Sequence, residues 1–168
     1  MNIRKSLLLL TIVPFLILAC CNCDDDSPSN NNNDIVGKTT WTTWQRDAGW
    51  ADYAAANYSP DAETVVEISQ ILHDNSHKLL LFASTWCSDC ERGVPKIYKI
   101  LTAANYDVTR MDLYGLDRQK KEPSNTYAQY SIVRVPTLVI LKGQTEVGRI
   151  VENPSVSWEA DMLEILRK

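Results

Sequence analysis

The stretch Lys78–Ser84, KLLLFAS, is a short unbroken apolar run that leads almost straight into Trp86-Cys87-Ser88-Asp89-Cys90. A run of that length without alternation reads as a strand buried on both faces. Behind it Val94, Ile97, Ile100 and Leu101 recur at helical spacing, so an amphipathic helix is expected to begin near Cys87. Tyr106–Leu113, YDVTRMDL, is expected as the next strand, and two strands joined by a helix form a parallel unit. Cys87 then sits at a helix N-terminus, where unpaired N–H groups and the positive end of the helix dipole stabilise a thiolate. The two-residue spacer puts Cys90 on the next turn, near enough to attack a mixed disulfide at Cys87 or to close a bond with it. The same spelling is half of a zinc site, but zinc takes four ligands and the globular part has no second cysteine pair. His73 and His77 read as a solvated face, and no metal is expected.

Other segments extend this unit on both sides. Trp41, Trp44, Ala48, Ala51 and Ala55 predict a helical segment over 41–56, and Ser59-Pro60-Asp61 opens a second helix that carries Val65, Ile68, Ile71 and Leu72 and ends around Asn75. After a polar segment from Tyr114 to Asn125, a short helix is expected near Tyr127–Tyr130. Thr137–Leu141 and Val147–Val151 form a hairpin about Lys142-Gly143-Gln144, and Trp158, Met162, Ile165 and Leu166 mark a closing helix. The expected class is α/β: a three-layer sandwich, with a central mixed sheet flanked by helices and a helical N-terminal extension. At 168 residues and 45% hydrophobic composition, the chain supports one ordinary core and no second large domain. Its net charge of -4 excludes a basic face for nucleic acid. Of five cysteines, three crowd positions 20, 21 and 23, leaving too few for a disulfide-stapled scaffold.

The N-terminus reads as an address. Arg4 and Lys5 precede an apolar run from Leu7 to Ala19, the right length for the core of a secretory signal and too short to span a bilayer comfortably. Leu16-Ile17-Leu18-Ala19-Cys20 resembles the lipobox of bacterial lipoproteins, which implies cleavage before Cys20 and its lipidation. From Cys21 to Asp34 the polar stretch CNCDDDSPSNNNND is expected to be a solvated tether, in which Cys21 and Cys23 receive no role. Asp24, Asp25 and Asp26 resemble the acidic export signal of some surface lipoproteins. The expected organisation is a signal peptide over 1–19, a lipidated tether over 20–34 and one domain over 35–168 with its core at 61–168. The expected location is the cell envelope, lipid-anchored on the non-cytoplasmic side, with the outer membrane favoured.

Together, WCSDC and the downstream Val135-Pro136-Thr137, followed by a hairpin and a helix, resemble the thioredoxin family. The resemblance implies a thioredoxin-like fold and a thiol-disulfide oxidoreductase. It makes Cys87 the nucleophile, Cys90 the resolving thiol, Trp86 a wall of the site, and Pro136 a cis-proline beside Cys87 whose turn offers the backbone of Val135 to a substrate strand. Three departures stand out. The buried aspartate of the family is replaced by Leu81, so the usual proton acceptor for Cys90 is missing. Ser88 and Asp89 replace Gly-Pro, and the Asp89 carboxylate should oppose thiolate formation at Cys87. Arg134 replaces a glycine, and three readings stand: it offsets Asp89, it selects acidic partners, or it is an ordinary surface arginine. The function expected is reduction of disulfides in exported proteins through a Cys87–Cys90 dithiol-disulfide cycle, with no cofactor besides that redox-active disulfide. The partners expected are protein thiols and disulfides, a membrane electron donor and the lipid membrane itself, with no nucleic acid, and the chain is expected to be a monomer. The alternatives are a non-catalytic binding or scaffold lipoprotein and a disulfide oxidase or isomerase.

Overall fold

The computed structural model describes residues 34–50 and 55–168; the expected signal segment, Cys20 and the tether up to residue 33 lie outside the described residues, as does Ala51. Five strands form one mixed sheet in the order β1-β3-β2-β4-β5: β1 (Gly37–Thr39), β2 (His77–Ala83), β3 (Asp112–Gly115), β4 (Thr137–Lys142) and β5 (Thr145–Val151). Central β2 runs parallel to β3 and antiparallel to β4, with Leu81 opposite Leu113 on one side and Leu138 on the other. Leu79 through Ala83 are all buried, which explains why this strand lacks alternation. The β4–β5 hairpin turns at Gly143, whose φ of 62° is the left-handed conformation that glycine adopts without steric cost.

Helices flank the sheet: α1 (Trp41–Asp47), α2 (Ala62–His73), α3 (Ser88–Ala103), the short α4 (Thr126–Gln129) and α5 (Trp158–Leu166). Side-chain caps fix three of the starts. Thr40 accepts from the Thr43 N–H, Asp61 from Thr64 and Ser157 from Ala160, each satisfying a donor the helix cannot use internally. The face of α3 carrying Val94, Ile97, Ile100 and Leu101 is fully buried. Each such side chain contributes about 1.5–3 kcal/mol. α5 packs against α2, α3 and β5. Close approach needs glycine at two places: a Cβ on Gly93 would lie 2.9 Å from Trp158 Cζ2, and one on Gly148 would lie 2.8 Å from Ile165 Cγ2.

Several expectations are corrected. Of the helix or helical turns expected over 41–56, the regular helix ends at Asp47, because Gly49 follows with a φ of 69° and turns the chain. The strand predicted over Tyr106–Leu113 opens instead with a 3₁₀ turn at Val108–Arg110. There the Asp107 side chain accepts from the Thr109 N–H at 3.0 Å and holds the backbone away from the ladder. Strand β1 was not foreseen; its three residues are too few to show a period. His77 is not on a solvated face: it opens β2 only 4% exposed, with Nδ1 3.0 Å from Ser76 Oγ, whereas His73 is exposed.

Candidate active site at the strand–helix junction

Where β2 ends, Ser84 ties two loops together. Its hydroxyl donates to the Leu116 carbonyl at 2.9 Å, while the Leu116 N–H donates to the Ala83 carbonyl at 2.9 Å. Cys87 follows as the N-cap of α3, with extended φ and ψ of -97° and 120° and no side-chain oxygen capping the first N–H groups. The positive end of the helix is therefore open to the sulfur of Cys87. Its backbone N–H donates to the Ser84 carbonyl at 3.3 Å and its thiol donates to the Val135 carbonyl at 3.5 Å. Cys90, one turn on, is fully buried, and its sulfur accepts from the Ser84 N–H at 3.3 Å. Both thiols are free.

This geometry splits the two acidities. Contact with the Cys90 thiol draws the Cys87 pKa down to about 6, against the effect of partial burial, and the N–H groups of Cys90 and Asp89 add to the lowering. Burial pushes the Cys90 thiol far up, and the neighbouring Cys87 pushes it further. Cys87 is thus the half-exposed sulfur that ionises the more readily, and Cys90 the enclosed one that keeps its proton. The charge of Asp89 does oppose ionisation of Cys87, as expected, but it is the smallest of the influences and is outweighed.

Around the pair, the Val135–Pro136 bond is cis, both residues are buried, and the Glu152 N–H donates to the Pro136 carbonyl at 2.7 Å. Trp86 is half-buried, its indole N–H donating to the Leu116 carbonyl at 3.2 Å, while Ser88 is exposed. Arg134 does not offset Asp89. It pairs with Glu152 at 2.8 Å, and Asp89 pairs with Arg92 one turn along its own helix. Leu81 is fully buried, with Leu113 and Leu138 as its neighbours across the sheet, so the position where the resemblance implies an aspartate is apolar here. Sequence reasoning missed Ser84, Leu116 and Gly93. Only Gly93 left a visible signal, a glycine inside an otherwise regular amphipathic pattern. Among the described residues no group of three or more histidine, cysteine or acidic side chains is placed to hold a metal.

The family model for thioredoxin matches residues 63–162. The chain belongs to the thioredoxin family. That family is one of thiol-disulfide oxidoreductases, and the mixed five-stranded sheet flanked by helices is its fold. Thioredoxin of Staphylococcus epidermidis is 32% identical over 74 residues, covering 44% of this chain and 66% of that protein. A Staphylococcus aureus thioredoxin is 31% identical with the same coverage. The chain spans just under two thirds of the length of these curated relatives. Fasciola hepatica thioredoxin is similar in structure with a TM-score of 0.39 and 20% identity, covering 60% of this chain and 88% of that one. Within this thioredoxin-family chain, both cysteines and the Val135-Pro136-Thr137 turn fall inside the matched segment, whereas residues 34–50 lie before it.

Proposed function

We propose that the protein reduces disulfides of exported proteins by a dithiol-disulfide cycle at Cys87 and Cys90. The observation that carries this reading is the pairing of a half-exposed Cys87 sulfur of lowered pKa with a buried, protonated Cys90 thiol behind it. The Cys87 thiolate attacks one sulfur of a substrate disulfide; that S–S bond breaks, a mixed disulfide forms, and the other substrate sulfur leaves as a thiolate. Cys90 then loses its proton and attacks the Cys87 sulfur, the mixed disulfide breaks, and the second substrate thiolate departs. Two electrons pass to the substrate and the enzyme is left with a Cys87–Cys90 disulfide, which a membrane electron donor returns to the dithiol. The Val135 carbonyl lies 3.5 Å from the Cys87 sulfur, on the backbone that a substrate strand would meet. A Cys87 pKa of about 6 lies nearer the roughly 7 of thioredoxin than the roughly 3.5 of a strong oxidant, which favours reduction.

Cys20 as lipid anchor places this activity in the cell envelope, on the non-cytoplasmic side. Insulin reduction driven by dithiothreitol tests the reading: turbidity must develop faster with the protein than without it, and Cys87→Ser must abolish the difference. Equal rates would leave a non-catalytic scaffold. The reduction potential of the couple fixes the direction, with about -270 mV marking a reductase and about -120 mV an oxidase.

A further inference from the structure

The segment before the family match contacts the active-site loop at two points. Asp34 places one carboxylate oxygen 3.5 Å from Thr85 Oγ1 and the other 3.4 Å from Arg118 Nε. The Arg118 guanidinium in turn lies 5.9 Å from the centre of the Trp86 ring, within cation–π range. Trp50 reaches the same loop, its indole N–H donating to the Thr85 carbonyl at 3.2 Å. Trp50 is itself seated edge-on against the fully buried Trp44, with ring centroids 5.6 Å apart, so α1 anchors this donor in the core. Thr85 stands two residues before Cys87 and is therefore held by its side chain and by its carbonyl, both times from the N-terminal segment.

A separate observation shows that the segment is built into the domain. β1 pairs with β3, and Ile35 lies so close to Gly115 that a Cβ there would come within 2.0 Å of the Ile35 carbonyl oxygen. Gly115 is paired with Ala83, the last residue of β2. A glycine on β3 thus keeps open the place that the N-terminal segment fills, directly beside the strand end from which the redox loop departs.

We infer that residues 34–50 are part of the active site, with Asp34 and Trp50 acting as positioning residues that hold the loop carrying Trp86 and Cys87. Neither touches the reacting sulfurs. Asp34 fixes Thr85 and Arg118, Trp50 fixes the Thr85 carbonyl, and the loop so held presents Cys87 to the Cys90 thiol and to the first N–H groups of α3. When the loop is loosened these donors lose their alignment and the Cys87 thiolate loses its stabilisation. The inference rests on the proposed role of Cys87 as nucleophile, but its test needs no disulfide substrate.

The test measures the pH profile of Cys87 alkylation by iodoacetamide in the full-length reduced protein, read on the Cys87 peptide by mass spectrometry so that the other cysteines do not contribute. Trp50→Phe keeps an aromatic ring beside Trp44 and removes the indole N–H that donates to the Thr85 carbonyl; Asp34→Ala removes the carboxylate that meets Thr85 and Arg118; Asp34→Glu is the conservative control. The midpoint is expected to rise by about one pH unit in the double variant Asp34→Ala with Trp50→Phe, a tenfold loss of thiolate below the midpoint, and by less in each single variant. Asp34→Glu is expected to keep the wild-type midpoint. Thermal melts of the same samples separate this from a merely structural role, which would lower Tm and leave the midpoint in place. An unchanged midpoint in the double variant overturns the inference, as does a shift in Asp34→Glu equal to that in Asp34→Ala. If Asp34→Ala does not fold, Trp50→Phe decides alone. A wild-type protein inactive on insulin would refute the functional reading and leave this measurement intact.

Discussion

At the scale of single residues, the chemistry follows from the unequal surroundings of two identical thiols. Cys87 has backbone donors and a half-open face, and Cys90 has an apolar enclosure and one N–H. Cys90→Ser is therefore expected to accumulate mixed disulfides with its substrates, because attack still occurs and nothing resolves the adduct. Cys87→Ser is expected to trap almost nothing, and non-reducing gels of the two variants compare them directly. The pH dependence has a definite sign: with a Cys87 pKa of about 6, the first attack on a neutral disulfide should level off above that pH. Below it, the rate should fall about tenfold per unit, as stopped-flow kinetics would show. Leu81 gives a third expectation. Leu81→Asp places a carboxylate in a fully buried position between two leucines and should cost about 3 kcal/mol or more of stability in urea unfolding. The same substitution should quicken the resolving step, since Cys90 gains a proton acceptor.

At the scale of elements, α3 is the part on which the site depends, and its placement is set from outside the helix. Gly93 lets the helix approach Trp158 of α5, and the same glycine faces Pro136 at 3.4 Å from a would-be Cβ, so one small residue brings helix, cis-proline turn and C-terminal helix together. Gly93→Ala raises intrinsic helix propensity by about 1 kcal/mol. It also forces a methyl group against the ring of a Trp158 that is 4% exposed and has little room to move, a strain of about 1–3 kcal/mol. Net destabilisation is expected, seen as a lower Tm.

At the scale of the whole molecule, the proposed anchor at Cys20 can be tested apart from the redox pair. Cys20 is far in sequence from the active-site pair, so Cys20→Ser is expected to release the protein from membranes while leaving insulin reduction unchanged. Fractionation followed by the assay checks both halves, and a variant that stays membrane-bound would remove Cys20 as anchor. No helix among the described residues is long and apolar enough to cross a membrane.

Local pattern was enough for much of this protein. The continuous apolar run of β2, the 3.6-residue period of α3 and the residue types at positions 87 and 90 are properties of neighbouring residues, and they mark a strand–helix junction bearing a dithiol. The limits of α1 and β3 were less legible, because a glycine of positive φ and an aspartate whose side chain accepts from the N–H two residues on ended or delayed elements whose hydrophobic pattern continued. Which partners meet across long stretches of chain was legible only through the family resemblance, which placed the cis Val135–Pro136 turn beside Cys87, where the structure has it. The other meetings left no signal: Arg134 goes to Glu152 and leaves Asp89 to Arg92, and Asp34 and Trp50 converge on Thr85. These meetings depend on strand order and register, which bring distant residues within a few ångströms. Periodicity along the chain carries no information about them, so only the tertiary structure decided how the loop before Cys87 is held.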